Sequence, residues 1–396
     1  MSTRRTGGAM RTVSWLTVAA VTTGGVVGVA PAAAAEVLGA GAPGAIEGSY
    51  VVVLKGERAA GDLAARYSGT VVHTFSHVFQ GFSVRMSAPD ARRLAADPAV
   101  SYVQQNQRVR VAGEQANPPS WGLDRVDQQR LPLDDYYRYP DTAANVTVYV
   151  VDTGVRVSHR DFGGRAVWGT NTVDDQQEDC HGHGTHVAGT AGGQRYGVAK
   201  GVKLVSAKVF DCAGNGTSED VAEALDWVVA HHASGPAVAN MSLGGDAPDR
   251  VIEDAVRRTI ADGVVAVVAA GNESDDSCRH SPSRVREALT VASSDWSDRR
   301  SYFSNYGSCV DLFAPGESIT SAYNGSDTDS GDLSGTSMAT PHVAGAAALL
   351  LSRNPAQTPA QVATALLNNA TKSVVSDPRG SPNRLLKVNA AYRSGG

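Results

Sequence analysis

From Glu114 onward, short apolar runs alternate with longer amphipathic stretches, and that alternation leaves few folds open. Val146–Val151, Lys203–Phe210, Ala237–Leu243, Val264–Ala269 and Ala288–Ala292 are short, nearly uniform in apolarity and rich in β-branched residues. Strands of that kind are covered on both faces, as in a parallel sheet. The stretches near Glu219–His231 and Val251–Ala261 carry helical periodicity and supply covers. The order predicts a doubly wound parallel α/β domain, whose ligands bind beyond the carboxyl ends of the strands.

A smaller body precedes it. Residues 36–113 read as an α+β unit: strands at Ser49–Leu54, Val71–Phe75, Gly81–Met86 and Val100–Gln107, helices at Leu63–Tyr67 and Ala88–Ala96. This unit carries eight Lys/Arg against six Asp/Glu (+2), and the part from Glu114 carries 24 against 34 (−10), so the two should attract. Ahead of both, Arg4, Arg5 and Arg11 flank an apolar stretch from Val13 to Pro31 that ends in Ala33-Ala34-Ala35. That is the pattern of a secretory signal peptide over residues 1–35, with Ser-Thr-Arg-Arg-Thr a weak hint of twin-arginine export. A secreted monomer, with no membrane partner once the signal is removed, is the expectation. Arg outnumbers Lys 29 to 6 without clustering outside the N-terminus, so nucleic acid is not an expected partner.

Chemistry-bearing residues fall at the predicted functional edge. Asp152-Thr153-Gly154 ends one strand, Ser242-Leu243-Gly244-Gly245 another, and Ala269-Ala270-Gly271-Asn272 a third. Cys180-His181-Gly182-His183-Gly184-Thr185-His186 lies between two strands. Gly335-Thr336-Ser337-Met338-Ala339-Thr340-Pro341 opens an apolar helix running through Val343–Leu351. Ser337 could simply cap that helix. A second reading uses the same helix start, because unpaired N–H groups there can hold an oxyanion. A serine hydroxyl needs an imidazole to take its proton, and the imidazole needs a carboxylate to fix its tautomer. Asp152, His183, Ser337 and the amide of Asn272 supply those parts in the order Asp…His…Ser. The four cysteines, in an exported chain, suggest disulfides; three pairings are open, and the sequential one closes two loops of similar length. Each such loop is worth about 3–4 kcal/mol on a chain-entropy treatment.

Val150-Val151-Asp152-Thr153-Gly154, His183-Gly184-Thr185-His186-Val187-Ala188-Gly189 and Gly335–Pro341 resemble the three signatures of subtilisin-like serine proteases. The closer resemblance is to the proteinase K-like branch, especially its aqualysin-type bacterial members. Trp121-Gly122-Leu123-Asp124-Arg125, Ala239–Gly245, Phe303-Ser304-Asn305-Tyr306-Gly307 and Ser381–Leu386 support it, and it covers nearly all of 114–390. The resemblance implies a subtilisin-like fold for 114–396 and a ferredoxin-like inhibitory and chaperone propeptide for 36–113, cut off near Gly113–Glu114. It implies that Asp152 orients His183, that His183 is general base and acid, and that Ser337 is the nucleophile. Asn272 and the Ser337 N–H would form the oxyanion hole. Ser242, Leu243, Gly244, Ala269, Ala270 and Gly271 would line the primary specificity pocket, while Gly214, Asn215 and Gly216 would pair with extended substrate backbone. A pocket of Ala, Gly and Leu without charge implies broad specificity with apolar or aromatic residues before the cut. The branch's pairing is the sequential one, Cys180–Cys212 and Cys278–Cys309.

Two metals come into question. Cys180, His181, His183 and His186 crowd seven residues, as zinc ligands do, but lack a His-Glu-x-x-His arrangement. The resemblance favours structural calcium instead, with no catalytic cofactor. Asp311 would bind it with the backbone carbonyls of Arg286 and Ala288, and a second site would draw on Asp124, Asp127 and Gln128. Tyr136 stands where relatives often offer a further oxygen to that second site. His186 and His342 are expected to be structural, and His181 a loop residue. Typical α/β-hydrolases have Gly-x-Ser-x-Gly and the opposite residue order, which argues against an esterase.

Overall fold

The computed structural model describes residues 36–42, 45–56, 58–107, 113–232 and 234–388. The signal-peptide assignment, residues 1–35, lies outside them. The chain divides into two compact units, one built mainly from Ile46–Asn106 and one from Gln107 onward.

The smaller unit runs β1 (Ala45–Leu54), α1 (Ala60–Arg66), β2 (Thr70–Phe75), β3 (Gly81–Arg85), α2 (Ala88–Ala95) and β4 (Val100–Gln107). Its sheet has the order β2-β3-β1-β4, with β3 antiparallel to both β1 and β2. Ser87 caps α2 by accepting the Asp90 N–H, with Pro89 in the first turn, where a missing donor costs nothing. Val52, Leu63, Phe82, Val84, Ala91, Leu94 and Val103 form its core.

The larger unit begins with β5 (Gly113–Ala116), α3 (Trp121–Asp127) and β6 (Tyr136–Tyr139). Then follow β7 (Thr147–Asp152), β8 (Ala166–Asn171), α4 (His183–Gly192), β9 (Lys203–Lys208), α5 (Ser218–His231) and β10 (Ala237–Met241). Next come α6 (Arg250–Ala261), β11 (Val265–Ala269), β12 (Leu289–Ser294), β13 (Leu312–Pro315), β14 (Ile319–Ala322) and β15 (Ser330–Leu333). The last elements among the described residues are α7 (Thr336–Arg353), α8 (Pro359–Asn369), β16 (Thr371–Lys372) and β17 (Arg384–Leu385).

Among the described residues its main sheet has nine strands, β16-β17-β13-β12-β11-β10-β7-β9-β8, parallel except for the β16–β17 pair. The chain leaves β7 toward β9 on one side and returns to β10 on the other, so the strand order reverses at β7. Period-two alternation divides each strand between two cores. Val148 and Val150 of β7, with Val265 and Val267 of β11, face the side covered by α4 and α7. Tyr149 and Val151, with Ala266 and Val268, face α5 and α6. The five predicted strands are present. The additional strand β8 is a half-exposed edge interrupted by a register shift, and β13 is four residues long and ends in Pro315, so neither gives a strong apolar run.

Candidate active site

Asp152 ends β7 at the reversal point and is fully buried. His183 is the first residue of α4, and its Nδ1 lies 2.6 Å from Asp152 Oδ1. The loop that delivers His183 is tied down by Asp179, itself 6% exposed. Asp179 Oδ1 accepts the Gly182 N–H at 2.7 Å and the Thr153 hydroxyl at 2.9 Å. Asp179 Oδ2 accepts the Thr185 N–H at 2.9 Å and its hydroxyl at 2.5 Å. Thr153 Oγ1 in turn accepts the Gly184 N–H at 2.9 Å. A buried carboxylate here answers the partial positive charge of the α4 N-terminus and fixes the His183 loop to the end of β7. The Cys180–Cys212 disulfide ties the same loop to the segment after β9. Sequence reasoning passed over Asp179; the available sign was an acid four residues before His183, just ahead of a glycine-rich helix start. Burial of the His183 ring lowers its pKa, but the Asp152 charge and hydrogen bond, with Asp179 behind, outweigh it and the net shift is upward.

Ser337 sits in the first turn of α7, and Pro341 explains how it is held. Proline has no N–H, so the carbonyl four residues back, that of Ser337, loses its helical donor. The Ser242 hydroxyl replaces it, donating to Ser337 O at 2.8 Å, while the Ser337 hydroxyl donates to Ser242 O at 3.2 Å. The end of β10 and the start of α7 are thereby locked together. The hydroxyl therefore points at Ser242 O rather than at His183 Nε2.

Asn272 follows β11. Its Oδ1 accepts both the Thr336 N–H at 2.8 Å and the Thr336 hydroxyl at 3.0 Å, which directs its NH₂ to the other side. The position that a Cβ on Gly335 would take is 3.6 Å from Asn272 Nδ2 and 3.6 Å from Ser337 N. Both donors thus border one small space, and a side chain on Gly335 would fill it.

One cleft is lined by His183, Ser337, Asn272 and both predicted walls, Ser242-Leu243-Gly244 and Ala269-Ala270-Gly271. Gly214 lines it as well; Asn215 and Gly216 are exposed beside it but do not line it. The two predicted walls carry no charged side chain; elsewhere the same cleft is lined by Glu273, Asp246, the nearly buried His280 and His181. Asn305, quoted in the sequence only within the Phe303–Gly307 string and given no role there, is fully buried behind the Ala269–Gly271 wall. Its Nδ2 donates to Ala270 O (3.0 Å) and Glu273 Oε2 (2.7 Å), and its Oδ1 accepts the N–H groups of Glu273 (3.1 Å) and Asp275 (2.8 Å).

The metal candidates separate clearly. Cys180 and Cys212 form one disulfide and Cys278 and Cys309 the other, so no thiolate remains for zinc. Among the described residues no group of three or more His, Cys, Asp or Glu side chains is arranged to hold a metal. His186 and His342 are fully buried on α4 and α7, and burial pushes both down to about 4. Asp311 precedes β13, whose pairing with β12 brings it beside Thr290. Its Oδ2 accepts the Thr290 N–H at 2.8 Å, and burial pushes its carboxyl up to about 6. Asp124 accepts the N–H groups of Asp134 (3.2 Å) and Asp135 (2.8 Å), and Asp127 Oδ2 that of Arg138 (2.5 Å). Asp127 Oδ1 and Gln128 Oε1 are buried acceptors without a donor among the described residues, and burial pushes Asp127 up to about 7. Such a set of buried, underused oxygens fits a hard cation.

Comparison with known proteins agrees with this geometry. Residues 143–386 match the subtilase family, peptidase S8, and residues 49–112 match the peptidase inhibitor I9 family. The chain is 50% identical over 315 residues to an extracellular serine proteinase of Thermus sp. (strain Rt41A), covering 79% of this chain and 76% of that protein. It is 46% identical over 331 residues to alkaline serine exoprotease A of Vibrio alginolyticus, covering 82% of this chain and 61% of that one. The crystal structure of a cold-adapted subtilisin-like serine proteinase superposes with a TM-score of 0.66 at 51% identity, over 68% of this chain and 97% of that chain. The chain therefore belongs to the subtilase family of serine peptidases and carries an I9 inhibitor segment ahead of its peptidase domain.

Proposed function

We propose that the chain is the precursor of a secreted serine endopeptidase with broad specificity, cutting after apolar and aromatic residues by an acyl-enzyme mechanism. The observation that carries this reading is the 2.6 Å Asp152–His183 contact opening into the same cleft as Ser337 and Asn272. The Ser337 oxygen attacks the substrate carbonyl as His183 Nε2 takes its proton. Asp152, on the other ring nitrogen, holds the tautomer and the imidazolium. The Asn272 NH₂ and the Ser337 N–H receive the oxyanion. His183 returns the proton to the departing amine, leaving Ser337 acylated, and water completes the cycle by the same route. Extended substrate backbone lies along Gly214-Asn215-Gly216, and Ser242, Leu243, Gly244, Ala269, Ala270 and Gly271 wall the pocket for the residue before the cut.

Residues 1–35 direct export, 36–113 assist folding and then inhibit, and 114–396 form the peptidase, freed by its own cut near Gly113–Glu114. The extracellular serine proteinase of Thermus supports secretion, and no helix among the described residues is long and apolar enough to cross a membrane. The mature enzyme acts as a monomer on polypeptides. Calcium is structural: Asp311 with the Arg286 and Ala288 carbonyls would hold one ion, and Asp124, Asp127 and Gln128 a second. In both places the ion would neutralise buried carboxylates and brace loops, with no part in the reaction.

Ser337→Ala tests the reading directly. The variant should accumulate as an uncut precursor beginning near Glu36 and leave casein intact, while the parent digests casein until a serine-directed inhibitor is added. Normal self-processing by Ser337→Ala would remove Ser337 from the nucleophile role.

A further inference from the structure

The wall of the primary pocket is tied down from behind by residues that the proposed chemistry does not use. Ser242-Leu243-Gly244 belong to the segment that leads from β10 to α6. At its start Ser242 is bonded to Ser337, as described above. Beyond Gly244 the segment is held at two further points, and both lead to one residue, Ser281, which is fully buried and lines the cleft. Ser281 O accepts the Gly245 N–H at 2.9 Å, and Ser281 Oγ accepts the Asp249 N–H at 2.8 Å. Gly244 itself lies against Ser281: a Cβ there would be 3.4 Å from Ser281 O. Two glycines in succession give the wall little stiffness of its own, so its position depends on these ties.

The hydroxyl of Ser281 has one proton, and Glu253 takes it, with Oε1 lying 2.7 Å from Ser281 Oγ. Glu253 stands in the first turn of α6 and is 8% exposed. An ionised carboxylate only accepts, so the hydroxyl donates to Glu253 and its lone pair is left facing the Asp249 N–H. Asp249 is the N-cap of α6, where its Oδ1 accepts the Val251 and Ile252 N–H groups. Glu253, Ser281 and Asp249 thus close a ring between the helix and the pocket wall. Two half-exposed cations accompany the carboxylate: Arg257 Nη2 lies 3.1 Å from Oε2, and Arg284 Nε 3.4 Å from Oε1. A buried carboxylate with such partners adds little net stability; what it can supply is a single geometry.

We propose that Glu253 is a positioning residue for specificity: through the Ser281 hydroxyl it fixes the Gly244-Gly245 wall, and with it the preference for a large apolar residue before the cut. The proposal rests on the pocket reading given above. Two peptides identical except for phenylalanine or alanine before the cut read it out. The parent should cut the phenylalanine peptide with the higher kcat/KM. Glu253→Ala should lower the phenylalanine-to-alanine ratio by about tenfold, the scale of one methylene's contact in an apolar pocket. The loss should fall in KM rather than kcat, because the wall grips the side chain alike before and during the reaction. Glu253→Gln, whose amide oxygen still accepts the Ser281 proton, should keep the parent's ratio. Ser281→Ala should lower the ratio as Glu253→Ala does, and the double substitution should lower it no further. Ser281→Ala also decides the matter if Glu253→Ala folds poorly. A Tm that falls while the ratio stays, in Glu253→Ala or in Ser281→Ala, overturns the proposal, as does a Glu253→Gln ratio as low as that of Glu253→Ala. Cleavage of both peptides in those cases leaves the peptidase reading standing. A parent ratio at or below one removes the pocket reading and this proposal with it, and cleavage of neither peptide by the parent removes the nucleophile reading as well.

Discussion

A hydroxyl attacks only when its neighbours prepare it, and on the proposed mechanism the preparation of Ser337 falls to residues on separate elements. Asp152 has one task that can be isolated, the field at His183. Removing the carboxylate leaves the burial that lowers the imidazole pKa and takes away the charge that raises it. On the proposed mechanism catalysis needs neutral His183, so kcat/KM should fall as the ring protonates, about tenfold for each pH unit below its pKa. For the parent that acid limb should lie above the ordinary histidine value near 6.5, following the upward net shift. In Asp152→Asn the limb should move to lower pH, and kcat should drop by about four orders of magnitude because the tautomer is no longer held. Initial rates across pH at fixed ionic strength give both numbers. A limb that stays in place in Asp152→Asn would mean that the 2.6 Å contact does not govern the base.

Elements decide where those residues meet, and here legibility from sequence was uneven. The apolar runs from Val146 to Ala292 revealed the parallel strands, because strands covered on both faces must be apolar throughout. The edge strand β8 and the short β13 left no such run. Asp152, His183, Asn272 and Ser337 were readable because each stands at a strand end or helix start whose residue types are chemically unusual. Asp179 and Asn305 were not, since a buried polar side chain gives no local pattern; its partners lie on other segments. Asn305 shows the consequence. It belongs to the loop before β13, yet it spans Ala270, Gly271, Glu273 and Asp275 after β11. Asn305→Ala strands the Ala270 carbonyl and two N–H groups, and at about 1–3 kcal/mol for a buried unsatisfied group, partly relieved by water, the loss should be about 2–4 kcal/mol. The denaturant midpoint should fall accordingly, and kcat should fall with it, because Asn272 stands on the segment Asn305 braces. Asn305→Ala with parental kcat would show that Asn272, the proposed oxyanion donor, is positioned by Thr336 alone.

At the scale of the whole molecule, the larger unit carries buried oxygens that its own donors do not satisfy. Asp127 Oδ1 and Gln128 Oε1 lie under the segment that runs from α3 to β6, and Asp311 is pushed up by burial between β12 and β13. In the secreted peptidase proposed above, such regions are where local opening and self-cleavage would start. A cation bound only by the folded state shifts the folding equilibrium by mass action, about 2.7 kcal/mol per site at a hundredfold excess over its Kd. For a peptidase domain of this size each kcal/mol moves Tm by about 2–4 °C, so one site accounts for about 5–10 °C. Excess chelator should therefore lower the Tm of the inhibitor-blocked enzyme, and Asp311→Asn and Asp127→Asn should each remove part of that chelator-sensitive shift. Neither substitution reaches the cleft, so the rate at low temperature, measured before unfolding sets in, should respond far less than Tm. An unchanged Tm in excess chelator would sink the calcium assignment at both places. A loss confined to Asp311→Asn would leave the Asp127 and Gln128 oxygens to be satisfied by water.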